Sequence, residues 1–220
     1  MEHAQGTLMK SGLGSTECSQ CPRLVALRQA VRDRYPDYFA SPVPSFGDPE
    51  ADFLVVGLAP GMHGANRTGR PFTGDHAGIL LYEALYQSGF SNQEKADDPG
   101  DGLRLSNCRI TNAVRCLPPE NKPELSEIRA CNSLLSRELS MTPAPSVILA
   151  LGRVAHQAVL MALGLQAAHF SFAHGALHEL PDGKILVSSY HCSRYNTQTR
   201  RLTREMFLDV MQKARSCLRP

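Results

Sequence analysis

One glycine-rich stretch, GLAPGMHGANRTGRPFTGD at 57–75, carries several residues that could do chemistry. Its glycines let backbone N–H groups approach a ligand closely, and Phe72 offers a ring that can stack on a flat ligand. Asp75 closes the stretch, and its carboxylate fits two roles. It is either the N-cap of the helix that follows or a group that faces a cationic transition state or a water. A surface loop that merely turns is the alternative interpretation of the whole stretch.

Further polar residues lie at or just past other predicted strands. Asn112, in the strand ITNAV, must satisfy a donor and an acceptor, either against the backbone or against the edge of a base. His191 follows the strand ILVSSY and is either a core histidine or a hydrogen-bond donor to a carbonyl that gains negative charge during a reaction. Asn121 and Lys122 lie in the proline-rich segment LPPENKP. They either contact a substrate or partner or belong to a solvated loop, and the sequence favours neither interpretation.

The cysteines form a second candidate site. Seven cysteines in a cytosolic protein favour metal or cluster binding over disulfides. Cys18 and Cys21 form a C-x-x-C pair before a predicted helix, and Cys116 and Cys131 form a more widely spaced pair. Both zinc and a [4Fe–4S] cluster accept four thiolates, and the wide second spacing fits the bulkier cluster better. A buried, unrelated pair or a redox dithiol is the alternative for the C-x-x-C pair.

Basic residues accompany the same strand-end loops. Arg67 and Arg70 lie in the first loop and Arg194 in the last, where cations suit the phosphates of a polyanion. Tyr195, between Arg194 and Asn196, could wedge into a stack of bases. The formal net charge of +2 is only mildly basic, so overall charge alone does not identify a nucleic-acid binder.

Apolar runs and the helical spacing of apolar residues predict the elements that position these side chains. The predicted strands cover residues 53–59, 108–114, 147–151, 177–180 and 185–189. The predicted helices cover residues 22–34, 77–88, 125–139, 154–163 and 199–215. Strands that alternate with helices indicate a three-layer α/β/α sandwich with a mostly parallel central sheet. Ligands of such sheets bind at the carboxyl ends of the strands, which is where the polar loops lie.

Composition and length favour an ordinary globular chain. We predict a flexible leader at 1–16 and a single domain at 17–216. No apolar run approaches the roughly 20 residues that a membrane span needs, and the N-terminal residues lack the apolar centre of a signal peptide. We therefore expect a cytoplasmic protein with no membrane partner.

Three segments together resemble the uracil-DNA glycosylase superfamily. They are the glycine-rich stretch, the strand ITNAVRC with PPENKP, and the turn SYHCSRYNTQT, and they are most similar to the family-five, iron–sulfur branch. The resemblance implies an α/β/α enzyme that flips a deaminated base out of duplex DNA and hydrolyses the N-glycosidic bond, leaving an abasic site. It implies that Phe72 stacks on the flipped base, that Asn112 reads its edge, and that His191 stabilises the departing base anion.

The resemblance also assigns other residues. Ala59 and Gly61 stand in the base pocket, where other branches carry an activating carboxylate or asparagine, and Asp75 is the implied catalytic replacement. Cys192 stands where many members carry proline after the histidine. The implied ligands of a [4Fe–4S] cluster are Cys18, Cys21, Cys116 and Cys131. The residues expected to contact DNA are Arg67, Arg70, Asn121, Lys122, Ser193, Arg194, Tyr195 and Asn196.

These expectations describe a monofunctional glycosylase, a monomer whose partner is double-stranded DNA that contains deaminated bases. A rival interpretation is a non-catalytic iron–sulfur or zinc DNA-binding module. That module would account for the arginines and cysteines, but it would leave Phe72, Asn112 and His191 without a shared role.

Overall fold

The computed structural model describes residues 17–143 and 146–218, so the leader predicted at 1–16 lies outside the described residues. The strands in these ranges are β1 Phe46–Gly47, β2 Phe53–Gly57, β3 Cys108–Asn112, β4 Val147–Leu151, β5 Leu177–Glu179 and β6 Ile185–Ser189. The α-helices are α1 Pro22–Arg34, α2 Ala65–Thr68, α3 His76–Gln87, α4 Leu125–Met141, α5 Arg153–Ala162, α6 Arg194–Gln198 and α7 Arg204–Ser216. None of these helices is long and apolar enough to cross a membrane.

The strands form one mixed sheet in the order β1-β3-β2-β4-β6-β5. The four central strands are mutually parallel, and β1 and β5 pair antiparallel at the two edges. In this register Gly57 at the end of β2 lies beside Asn112 at the end of β3, and Leu151 of β4 lies beside Ser189 of β6. The loops that follow the parallel strands therefore leave from one edge of the sheet.

Helices cover both faces of the sheet, which confirms the predicted α/β/α sandwich. Along β2, Phe53 and Val55 pack with residues of α3 and α7, whereas Leu54 and Val56 pack with residues of α1, α4 and α5. Every residue of β2 and β4 is buried. A parallel sheet covered on both sides needs such continuous apolar strands, and this is why they were visible in the sequence.

The end of the chain differs from the predicted single helix at 199–215. The side chain of Thr203 accepts a hydrogen bond from the Met206 N–H, and this cap starts α7 at Arg204. A separate helix, α6, forms earlier, where the Ser193 side chain accepts from the Asn196 N–H. The turn after β6 thus carries its own short helix, which arranges the residues that follow His191.

Candidate active site

A cavity of about 690 Å³ lies at the carboxyl ends of the parallel strands. Residues from the loops after β2, β3, β4 and β6 line it together. The predicted site residues in its wall are Ala59, Gly61, Phe72, Asp75, Asn112, Asn121, Lys122, His191, Ser193, Arg194, Tyr195 and Asn196. The predicted base-binding and catalytic groups therefore share one cavity.

The amide of Asn112 and the ring of Phe72 meet across Gly57. A Cβ atom at position 57 would overlap both Asn112 Oδ1 and the ring of Phe72, so only glycine leaves room for them. Asn112 is 5% exposed, and its Oδ1 has no hydrogen-bond partner among the described residues. A buried amide oxygen without a partner indicates an acceptor that is kept for a ligand.

Contacts behind the ring hold Phe72 in place. Its backbone has a φ of +56°, a left-handed conformation that is uncommon for a non-glycine residue. The Tyr82 hydroxyl donates to the Pro71 carbonyl at 2.7 Å, and Gly78 of α3 lets the Phe72 carbonyl approach the helix closely. The ring centroid lies 6.2 Å from that of His191, with the two planes inclined by 30°. The loop thus presents its ring beside the imidazole.

His191 enters the cavity as a neutral imidazole. Burial lowers the pKa of His191 to about 4, so the ring is uncharged at neutral pH. Its Nδ1 is buried and has no partner among the described residues. The Asn196 side chain donates to the His191 carbonyl at 2.8 Å and fixes the backbone. A neutral imidazole still has one N–H to donate, which suits a group that becomes anionic during a reaction.

The contacts of Asp75 bear on the two roles that the sequence left open, the N-cap of α3 and a carboxylate that faces the reacting groups. Asp75 is at the N-cap of α3, but its side chain makes no capping hydrogen bond. Its Oδ2 instead accepts from the Ala65 N–H at 3.1 Å, and the carboxylate packs against the backbone of Gly61 and Gly64. Burial raises the pKa of Asp75, while the Ala65 N–H and the charge of Arg67 oppose that rise. The carboxylate is therefore held in the cavity wall and does not cap the N-terminus of α3.

The prediction that Arg70 contacts DNA is wrong. Arg70 is 6% exposed, and its guanidinium forms a two-bond ion pair with Asp101 at 2.9 and 2.7 Å. It also donates to the Asp98 carbonyl at 2.8 Å. Arg67 does not line the cavity either; its Nε donates to the His63 carbonyl at 2.8 Å, so the side chain folds back on its own loop.

Several cavity residues were absent from the predicted site. Arg153 and Phe172 form one cation–aromatic pair, with the guanidinium carbon 5.2 Å from the ring centroid, and Arg201 and Tyr190 form another at 4.8 Å. Arg153 comes two residues after the end of β4, so the rule that ligands bind past parallel strands could have identified it. Phe172 lies in an irregular segment whose sequence carries no comparable signal.

The four predicted ligand cysteines line a second, smaller cavity together with apolar residues of α1, α4 and the segment after β3. They are Cys18, Cys21, Cys116 and Cys131. No group of three or more His, Cys, Asp or Glu side chains in residues 17–143 and 146–218 is arranged to hold a single metal ion. The fold nevertheless brings the two distant cysteine pairs to one place, with the Arg28 Nη1 at 3.8 Å from the Cys116 Sγ.

Comparisons with known proteins indicate the family to which this chain is similar. The family model described as the uracil DNA glycosylase superfamily matches residues 44–215. A type-5 uracil-DNA glycosylase of Thermus thermophilus is 52% identical over 205 residues, which cover 91% of this chain and 93% of that protein. A type-5 enzyme of Pyrobaculum aerophilum is 42% identical over 201 residues, covering 90% and 87%. A type-4 uracil-DNA glycosylase of Sulfurisphaera tokodaii is 30% identical over 178 residues, covering 78% and 74%.

Proposed function

This chain belongs to the uracil-DNA glycosylase superfamily, and on that premise we propose that it removes uracil from DNA by hydrolysing the bond between base and sugar. The observation that carries the proposal is the convergence of Phe72, Asn112 and His191 in one cavity. A ring, a buried amide and a neutral imidazole are the groups that would stack on a flat base and bind its polar edge.

The expected chemistry divides charge between two products. Cleavage of the N-glycosidic bond builds negative charge on the base and positive charge on the sugar. His191 would donate its N–H to the base oxygen that gains the negative charge. Asp75, whose carboxylate the Ala65 N–H and the backbone of Gly61 and Gly64 hold in place, would stabilise the cationic sugar or orient the attacking water.

The substrate is proposed to be double-stranded DNA. Flipping a nucleotide costs a few kcal/mol and costs least for a mispaired base, which favours uracil opposite guanine. The cavity volume of about 690 Å³ supports a further proposal, that other deaminated bases are removed as well. Cations in the cavity wall, among them Arg153, Arg194 and Arg201, are suited to bind the phosphates on either side of the flipped nucleotide.

We further propose that the enzyme is monofunctional, leaves an abasic site and acts as a monomer. Lys122, the lysine in the cavity wall, is exposed and pairs with Glu120 at 3.1 Å, so it is not held for attack on the sugar.

The [4Fe–4S] cluster is also a proposal, supported by the shared cavity of the four cysteines. Such a cluster would tie the chain before α1 to α4 and would supply no step of the hydrolysis.

A strand-breakage assay tests the function directly. The protein is incubated with a labelled duplex that contains one uracil, and alkali then breaks the strand at each abasic site. We expect breakage with the wild type and a single-turnover rate about a hundredfold to a thousandfold lower for His191→Ala, because one donor to the leaving anion is lost. His169→Ala, at an exposed position outside the cavity, is the matched control.

The same assay shows which interpretation fails. If the wild type and His191→Ala break the strand at equal single-turnover rates, His191 has no part in the mechanism. An intact strand after incubation with wild-type protein that binds the duplex would favour the non-catalytic DNA-binding module.

A further inference from the structure

Arg28 breaks the apolar pattern of the buried face of α1. The buried residues of this helix are Leu24, Arg28 and Val31, whose spacing places them on one side of the helix. Arg28 is 8% exposed, so its guanidinium is almost fully removed from water. An aliphatic residue would complete this face at no electrostatic cost, so the presence of arginine requires an explanation.

Among residues 17–143 and 146–218, no carboxylate pairs with Arg28. Its Nη1 lies 3.8 Å from the Cys116 Sγ, and its Nη2 donates to the Cys18 carbonyl at 3.0 Å. In the part of the chain that the structure describes, these are its polar contacts. Two other buried arginines differ, because Arg70 pairs with Asp101 and Arg115 pairs with Glu138. Burying a cation without a counter-charge is expensive, so an anion is expected beside Arg28.

The cysteine cavity is where that anion would form. Both contacts of Arg28 are to ligand cysteines or their backbone, one from each of the two pairs. Cysteine binds a metal or an iron–sulfur core as the thiolate. Four thiolates carry more negative charge than the core carries positive charge, so the loaded site is anionic.

We propose that Arg28 is the counter-cation of the iron–sulfur site and that it sets the stability and reduction potential of the cluster. This inference rests on the proposed [4Fe–4S] cofactor. The guanidinium would donate to the Cys116 sulfur and would hold the Cys18 segment through its carbonyl. Hydrogen bonds and charges around the ligand sulfurs are among the features by which proteins tune such clusters.

The sign of the effect follows from charge. Reduction adds an electron to an anionic site, and a nearby cation stabilises the more negative state. Arg28 therefore raises the reduction potential and retains the cluster. Replacement by glutamine removes the charge but keeps a polar group, whereas lysine keeps the charge and loses the forked geometry.

The test compares Arg28→Gln, Arg28→Lys and the wild type, all purified without oxygen. Arg32→Gln is the matched control, because Arg32 is one turn further along α1 and donates to the Ala40 carbonyl and Ser41 but to no cysteine. Iron and acid-labile sulfide are measured first. The reduction potential and the rate at which the visible absorbance bleaches in air are then compared, with circular dichroism to verify folding.

We expect Arg28→Gln to have a more negative potential and to lose its cluster about tenfold faster, the size typical of groups that hydrogen-bond metal ligands. Arg28→Lys should lie nearer the wild type, and Arg32→Gln should match it. Potentials and bleaching rates that are equal in the wild type and Arg28→Gln, or equal in Arg28→Gln and Arg28→Lys, would overturn the inference.

The measurements also separate this inference from the proposals on which it depends. Wild-type protein that holds no iron or sulfide would overturn both the cofactor and the role of Arg28. Iron and sulfide in the wild type, with Arg28→Gln unchanged, would overturn the role of Arg28 alone. Uracil excision is assayed separately, so a failure of the glycosylase proposal would not be mistaken for either.

Discussion

At the scale of single residues, the cavity contains groups that the fold leaves unsatisfied. Asn112 Oδ1 and His191 Nδ1 are buried without partners in the described residues, and Asp75 occupies a capping position without capping. A buried polar atom that lacks a partner costs the folded protein free energy. The unpartnered atoms of Asn112 and His191 therefore reduce stability in the free protein, as is common where residues are placed for function.

We predict that Asp75→Asn separates activity from stability. Burial raises the pKa of Asp75, so ionising it costs more in the folded protein than in the unfolded chain. Asparagine removes that cost at neutral pH and can still accept from the Ala65 N–H. Unfolding in urea should show equal or greater stability, and the single-turnover rate should fall about a hundredfold or more.

The dependence on pH provides the control for this prediction. The wild-type rate should fall as the pH drops through the raised pKa of Asp75, and Asp75→Asn should lack this limb. Asp209→Asn, on α7 and outside the cavity, should behave as the wild type. A single-turnover rate of Asp75→Asn equal to that of the wild type would exclude the carboxylate from the reaction.

The sequence identified residues whose role follows from their place after a strand. The topology of parallel strands predicted that Phe72, Asn112 and His191 lie at one edge of the sheet, and the resemblance to a glycosylase family implied their shared role. Arg70 was assigned wrongly because its partner is 31 residues away and nothing in the local sequence marks the pair. The local sequence around an arginine in a polar loop does not distinguish binding to a phosphate from pairing with a buried carboxylate.

At the scale of elements, the long loop after β2 is fixed from behind. The segment that contains Asp98 and Asp101 holds Arg70, and the Gly74 N–H donates to the Ala96 carbonyl at 2.9 Å. On the other side, Tyr82 of α3 donates to the Pro71 carbonyl. These contacts explain how a loop that contains a strained Phe72 keeps one conformation.

We predict that Arg70→Met lowers the free energy of unfolding by roughly 3 kcal/mol, because it leaves one partner of a buried ion pair alone. Urea unfolding measures this loss. Arg204→Met is the control, since it breaks the more exposed pair with Glu83 and should cost about 1 kcal/mol or less. A loss for Arg70→Met no larger than that of the control would contradict the buried-pair interpretation.

Acid gives a second measure of the same pair. The hydrogen bond from Arg70 lowers the pKa of Asp101 to about 2. A carboxyl group with a depressed folded pKa contributes stability above its unfolded pKa and loses that contribution as the pH falls through the folded value. The stability difference between wild type and Arg70→Met should be constant above about pH 5 and should shrink as the pH falls toward the folded pKa.

Helix ends were harder to predict than strands. The strands of the core are continuous apolar runs, whereas the start of α7 depends on which of several polar residues caps it. Thr203 does so, and Ser193 caps the separate helix α6. Two-residue β1 has no periodicity at all, because its pairing to β3 depends on a distant partner.

At the scale of the whole molecule, the charge is distributed unevenly even though the net charge is only +2. Arg153, Arg194 and Arg201 line the cavity, and none of them pairs with a carboxylate among the described residues. Other arginines, such as Arg23 and Arg204, pair with glutamates elsewhere. Cations left unpaired at one site favour binding of a polyanion there.

We predict that Arg201→Gln weakens binding to all duplexes and lowers the slope of log affinity against log salt by about 1, since one phosphate contact is lost. Fluorescence anisotropy over a range of salt concentrations measures both effects. Arg204→Gln, three residues along the chain but paired with Glu83, should leave the slope unchanged. Equal slopes for Arg201→Gln and Arg204→Gln would exclude Arg201 from the DNA interface.

Gly57 limits how this pocket could be re-engineered. Asn112 Oδ1 and the ring of Phe72 occupy the space that a side chain at position 57 would need. A substitution there therefore cannot change base preference without displacing both residues. We therefore expect substitutions at position 57 to lower activity by moving the Asn112 amide or the Phe72 ring. Substitutions intended to change base preference are better placed at Leu58 and Phe172. Both residues line the same cavity but do not lie between Asn112 and Phe72.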